Sequence, residues 1–179
     1  MKKNTVLSLL MMMALAIVCI TSFTSCGGND DDDPIGGDPN IGVHRIDMQF
    51  DGNFKGKWTT INVFVGVKQN GQITGLYENG KALDINSHVN NWTSTQIRDY
   101  SISTEDNAAA ITATVMLSAP YNVVTTEDVS ITMMGYINNK RIYTQVFTLP
   151  AGKSIMTVNF STIDGGKSSY SIDNGEVIE

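Results

Sequence analysis

Cysteine is almost missing from this chain: there are two in 179 residues, Cys19 and Cys26, and both lie within the first 26 positions. Everything downstream therefore has no disulfide, no thiolate nucleophile and no cysteine-based zinc site. Histidine is equally scarce. His44 and His88 are the only candidates for the base of a Ser-His-Asp relay, and no Gly-x-Ser-x-Gly elbow accompanies them. Both are expected as exposed surface residues, His44 at the start of the first strand and His88 in a loop, and two histidines without a ligand pattern make a poor metal site. Lysine and arginine total 12 against 18 acids and form no cluster beyond the N-terminus. Without a cationic footprint a chain cannot displace the counterions of a phosphate backbone, which excludes nucleic acid as a partner. Gly165-Gly166-Lys167 lacks the spacing and the strand-loop-helix setting of a phosphate-cradling loop. No cofactor is expected.

What is present begins with a leader. Met1-Lys2-Lys3 is basic, Val6 to Ile20 is an apolar run, and Ser22-Phe23-Thr24-Ser25 places small side chains before Cys26. These are the three parts of a secretion signal. The apolar run is shorter than the ~20 residues a spanning helix needs, and aspartates follow it where a stop-transfer flank would be basic. A cysteine at the cleavage point gives the thiol that takes an acyl anchor, so residues 1–25 read as a lipoprotein signal and Cys26 as the lipid attachment site. Removing the leader takes away Lys2 and Lys3 and no acid, so the formal net charge of −6 becomes −8.

Residues 26–41 read as a tether. Gly27-Gly28-Asn29 leads into Asp30-Asp31-Asp32-Asp33-Pro34, a stretch that cannot bury apolar surface and repels itself into an extended form. An uninterrupted aspartate run lacks the spaced oxygens, turn glycine and distal glutamate of a calcium loop. Cys26-Gly-Gly-Asn followed by four aspartates resembles the N-terminus of Bacteroidota-type surface lipoproteins. That resemblance implies a lipid-anchored protein of the outer membrane, facing the cell exterior.

From residue 42 to 179 the pattern is that of one β domain. Thr59, Ile61, Val63, Val65 and Val67 share a face opposite Trp58, Thr60, Asn62, Phe64 and Gly66, and the aliphatic set is expected to face the core. Asn70-Gly71 and Asn79-Gly80 supply the positive φ angles of hairpin turns, so residues 58–86 read as a three-stranded meander. Further alternation runs through Ala109 to Leu117, Val129 to Ile137, Arg141 to Leu149 and Ser154 to Phe160, with Asn138-Asn139 as a turn and Pro150 as a break. The expectation is an all-β, two-sheet antiparallel sandwich, immunoglobulin-like or related, of about eight to nine strands, with a small barrel as the alternative.

The chemistry offered by this pattern is sparse. Asp84, Asp99, Glu105, Asp106, Glu127, Asp128 and Asp164 supply carboxylates for a glycosidase pair, yet most sit where solvated turn residues belong. Aromatics are the better lead, because sugar faces and protein partners both stack on Trp and Tyr. Trp92, expected in a long loop, is the candidate ligand-binding residue, followed by Tyr77, Tyr100, Tyr121 and Tyr136; the competing expectation is that Trp92 plugs one end of the sandwich. The function expected is a non-enzymatic binding or accessory lipoprotein engaging a glycan, a host ligand or an outer-membrane protein. The alternatives are a structural anchor subunit of a fimbria-like assembly, using a strand edge, and a glycan hydrolase with an unrecognised carboxylate pair.

Overall fold

In a computed structural model of the chain, residues 38–54, 58–86, 89–119 and 125–172 are described in full, and 176–178 by their backbone. Cys26, the tether up to residue 37, His88 and Tyr121 lie outside the described residues. The described residues form twelve strands: β1 (His44–Asp51), β2 (Thr59–Lys68), β3 (Leu76–Glu78), β4 (Lys81–Ala82), β5 (Trp92–Ser94), β6 (Tyr100–Thr104), β7 (Ala108–Ser118), β8 (Val129–Ile137), β9 (Lys140–Leu149), β10 (Ile155–Ser161), β11 (Lys167–Ile172) and β12 (Glu176–Ile178). One sheet has the order β4-β3-β6-β1-β8-β9 and the other β12-β11-β10-β7-β2-β5. All pairings are antiparallel, and neither sheet closes, so the architecture is a sandwich and not a barrel. The strands beyond the eight or nine expected are two- and three-residue edge pieces that carry too few positions for alternation to register.

The core is built where period-2 faces of the two sheets meet. Ile46 and Met48 of β1, Ile102 of β6 and Ile131 and Met133 of β8 face Ile111, Val115 and Leu117 of β7 and Met156, Val158 and Phe160 of β10, all essentially without solvent contact. Strands β7, β8 and β10 turn inward the apolar faces set by their alternation. Asn79-Gly80, at φ 50° and 77°, closes the β3–β4 hairpin, and Asn138-Asn139, at φ 49° and 64°, closes β8–β9.

Strand β2 differs from the expectation in two ways. It joins the second sheet, between β5 and β7, while β3 lies in the first, so residues 58–86 cross between sheets and do not form a meander. Its buried face is Thr60, Asn62, Phe64 and Gly66; Ile61, Val63 and Val65 are half-exposed on the outside. Packing explains the inversion. Register with β7 sets Asn62 against Val115, Phe64 against Ala113 and Gly66 against Ile111, the apolar face of β7. Phe64 fits the space left opposite the small Ala113 and packs on Trp92 and Tyr100. Gly66 is required on that face, since a Cβ there would lie 2.6 Å from Thr74 Cγ2 and 2.9 Å from Thr104 Cγ2. Asn62 is buried with its polar groups satisfied: its Oδ1 accepts from the Thr60 hydroxyl at 3.0 Å and its amide donates to the Gln96 carbonyl at 3.1 Å.

Candidate functional site

His44 is fully buried, which corrects the expectation of a surface residue. Its Nε2 lies 2.8 Å from the Asn40 carbonyl, which only accepts, so Nε2 carries the proton. Nδ1 then accepts from the Thr162 hydroxyl at 2.7 Å, and that oxygen accepts the Ile111 amide at 3.0 Å. Burial pushes the imidazole pKa below its ordinary value, and the Asn40 hydrogen bond only partly opposes this. The neutral ring pins the residues just before β1 to Thr162, next to β10 of the opposite sheet. That is structural work, with the imidazole enclosed by hydroxyl and carbonyl groups.

Trp92 lies in β5, an edge strand, and not in a loop. It is half-buried, and its ring packs 5.8 Å from Phe64 and 5.9 Å from Tyr100. Tyr100 is buried too, its hydroxyl donating to the Gln96 carbonyl at 2.7 Å. Trp92 thus packs against the core from the edge of its sheet and keeps part of its surface exposed, while Tyr100 is buried.

Polar groups converge elsewhere, on the outer face of the first sheet. Register places Tyr136 of β8, Arg45 of β1, Ser103 of β6 and Tyr77 of β3 in one row across four strands. At neighbouring strands about 4.8 Å apart, the two tyrosines stand roughly 14 Å from each other. At Arg45 and Ser103 in this row is a cleft of about 230 Å³, partly open to solvent, lined by Val43, Arg45, Asn79, Gly80, Ser101, Ser103 and Asn139. Arg45 is held on three sides. Its guanidinium lies 4.0 Å over the Tyr136 ring, Nη1 donates to Asn139 Oδ1 at 3.1 Å, and Nε sits 3.1 Å from Asp47 Oδ1, an ion pair not aligned as a hydrogen bond. Asp47 is itself fixed by the Ser101 hydroxyl at 2.7 Å. Ser103, Asn79 and Arg45 line the opening, and no hydrogen bond ties the Ser103 hydroxyl, the Asn79 side-chain amide or Arg45 Nη2 to another described residue.

The cleft can orient a small polar ligand. Among the described residues no three His, Cys, Asp or Glu side chains gather to hold a metal ion. Sequence reasoning singled out none of the lining residues; of the aromatics it named, Tyr136 touches the site by stacking on Arg45. Its residues are scattered from 43 to 139, and only the Asn79-Gly80 and Asn138-Asn139 turns carried any local signal.

What fold and surface define is an open two-sheet antiparallel sandwich with a polar cleft on one outer face. Solved proteins share this fold. A domain of unknown function, DUF4425, from Bacteroides vulgatus matches with a TM-score of 0.59 and 21% identity over 70% of this chain and 98% of that one. A DUF4425 family protein from Bacteroides ovatus gives 0.55 and 20% over 68% and 94%. A Parabacteroides distasonis protein, solved in a calcium-bound form, gives 0.51 and 17% over 80% and 99%. No family model matches the sequence, and no curated protein is significantly similar to it. The likeness is one of fold.

Proposed function

We infer that this chain is a lipid-anchored protein of the outer membrane, attached through Cys26 and facing the cell exterior, whose sandwich is a non-catalytic binding module for a glycan or for a host or outer-membrane protein. The observation that carries the binding role is the cleft at Arg45, a space partly open to solvent and lined by arginine, serine and asparagine side chains. The leader and acidic tether support the address. Bacteroidetes proteins of the same fold are compatible with that setting. The test is a glycan array and surface crosslinking on intact cells with the tagged, lipidated protein. Retention of a glycan or a recurrent protein, lost with Arg45→Gln, supports the reading; a protein recovered alone and inert on the array sinks it.

A second reading, an assembly subunit, is favoured by one observation. Three of the four sheet edges are strands of two or three residues, but β9 presents ten, with no charge or proline from Ile142 to Leu149. Natural sheets blunt such edges unless they pair with something. Thr144→Lys with Val146→Lys, both at exposed positions, should then dissolve any high-molecular-weight complex without unfolding the chain. The calcium of the Parabacteroides distasonis protein is a separate matter, because the described residues of this chain do not form a carboxylate cage.

A further inference from the structure

The chemistry of the cleft narrows its ligand, on the premise that the cleft is the binding site. Size acts first. At about 230 Å³ the space falls below the roughly 300 Å³ at which pockets begin to enclose drug-sized ligands, so it takes one ring or one chain end and not a folded surface. Polarity acts second. The lining is two serines, two asparagines, an arginine and a glycine, with Val43 as the only apolar side chain. An apolar or aromatic ligand would strip water from these groups and return no hydrogen bonds. A ring carrying hydroxyls would replace that water group for group.

Charge acts third. Arg45 is the only charged residue lining the cleft. Tyr136 stacks on its plane, Asn139 takes Nη1 and Asp47 sits against Nε, which holds the guanidinium in place and leaves Nη2 without a partner among the described residues. Such a fixed donor binds an oxyanion with little loss of rotamer freedom. Asp47 offsets part of the charge, but its Oδ1 is already used by Ser101 and Arg45. It orients the cation more than it competes for the ligand.

The geometry points to a site for a terminal acidic sugar: a carboxylate or sulfate on Arg45 Nη2, with ring hydroxyls on Ser103 and Asn79. An acidic host glycan and an acidic bacterial polysaccharide offer the same chemistry, and the two are separated by arraying both.

The experiment is titration of the full chain in detergent with glucuronic acid, galacturonic acid and a sulfated hexose, against glucose, galactose, acetate and sulfate. The acidic sugars are expected to bind about tenfold or more tightly than their neutral counterparts and than acetate or sulfate. Arg45→Gln should erase the acidic preference, Arg45→Lys should keep part of it, and Ser103→Ala should weaken acidic and neutral sugars alike. Melting curves check that each variant is folded; should Arg45→Gln not fold, Arg45→Lys and the wild-type preference still decide. Equal binding of uronates and hexoses overturns the acidic assignment and leaves the cleft as a sugar site. Acetate or sulfate binding as tightly as the uronates overturns the sugar. If no sugar binds, the assignment fails, and a protein partner still captured on cells in an Arg45-dependent way would leave the broader binding role standing.

Discussion

His44 is the residue whose environment departs furthest from its composition-based expectation, and its burial has a measurable signature. Its imidazole titrates near its ordinary value when unfolded and below it when folded. Between those two values the unfolded chain binds more proton, so stability is unaffected above about pH 6.5 and falls as pH drops through the lowered folded pKa. Urea midpoints at pH 7.5 and pH 5 should therefore differ more for wild type than for His44→Ala, which removes this term. The same substitution should cost about 2–4 kcal/mol at neutral pH, since it opens a cavity and strands the Thr162 and Asn40 groups. Equal pH slopes in the two proteins would contradict the buried neutral ring. Gly66 is a second residue set by its surroundings. Gly66→Ala should destabilise by about 1–3 kcal/mol by overpacking against Thr74, Thr104 and Leu76, as measured by thermal or urea unfolding.

At the scale of an element, β2 is the informative strand. Alternation was legible along it, but which face turns inward was not, because an aliphatic set opposed a set containing one Phe, one Asn and one Gly. The decision came from the partner strand β7, whose inward Ile111, Ala113, Val115 and Leu117 accept Phe64. Phe64→Ala is expected to cost about 3–5 kcal/mol, whereas Val63→Thr, on the outer face, should stay within about 1 kcal/mol. Comparable losses at the two positions would place the inverted face in error. The hairpins at Asn79-Gly80 and Asn138-Asn139 were readable because a two-residue turn with positive φ is a local property. Asn70-Gly71 shows the limit of that signal. It forms a tight turn, with the Gly71 amide donating to the Lys68 carbonyl at 2.9 Å, but the chain then leaves for the other sheet.

For the whole molecule, address and ligand site are read from different parts of the chain. Cys26→Ser is expected to move the protein from the detergent phase to the aqueous phase on partitioning and to release it from the outer membrane, with no change in the melting temperature of the sandwich. Retention at the membrane after that substitution would remove the lipid anchor from the reading. The cleft, in contrast, comes from β1, the end of β3, β6 and the turn before β9, brought together only when the sheet order β4-β3-β6-β1-β8-β9 is complete. Trp92, the residue that composition and loop context singled out, lies away from this cleft, packed on Phe64 and Tyr100.

The sequence by itself determined the all-β class, the inward faces of β7, β8 and β10, and the turns that join β3 to β4 and β8 to β9, because hydrophobic alternation and positive-φ preference act over a few neighbouring residues. Tertiary structure alone decided which sheet each strand joined, which face of β2 was buried, and that Arg45, Ser103 and Asn79 share one opening. Those outcomes depend on pairing between strands tens of residues apart, where the free energy of burying Phe64 and satisfying His44 is gained only once both sheets are in place.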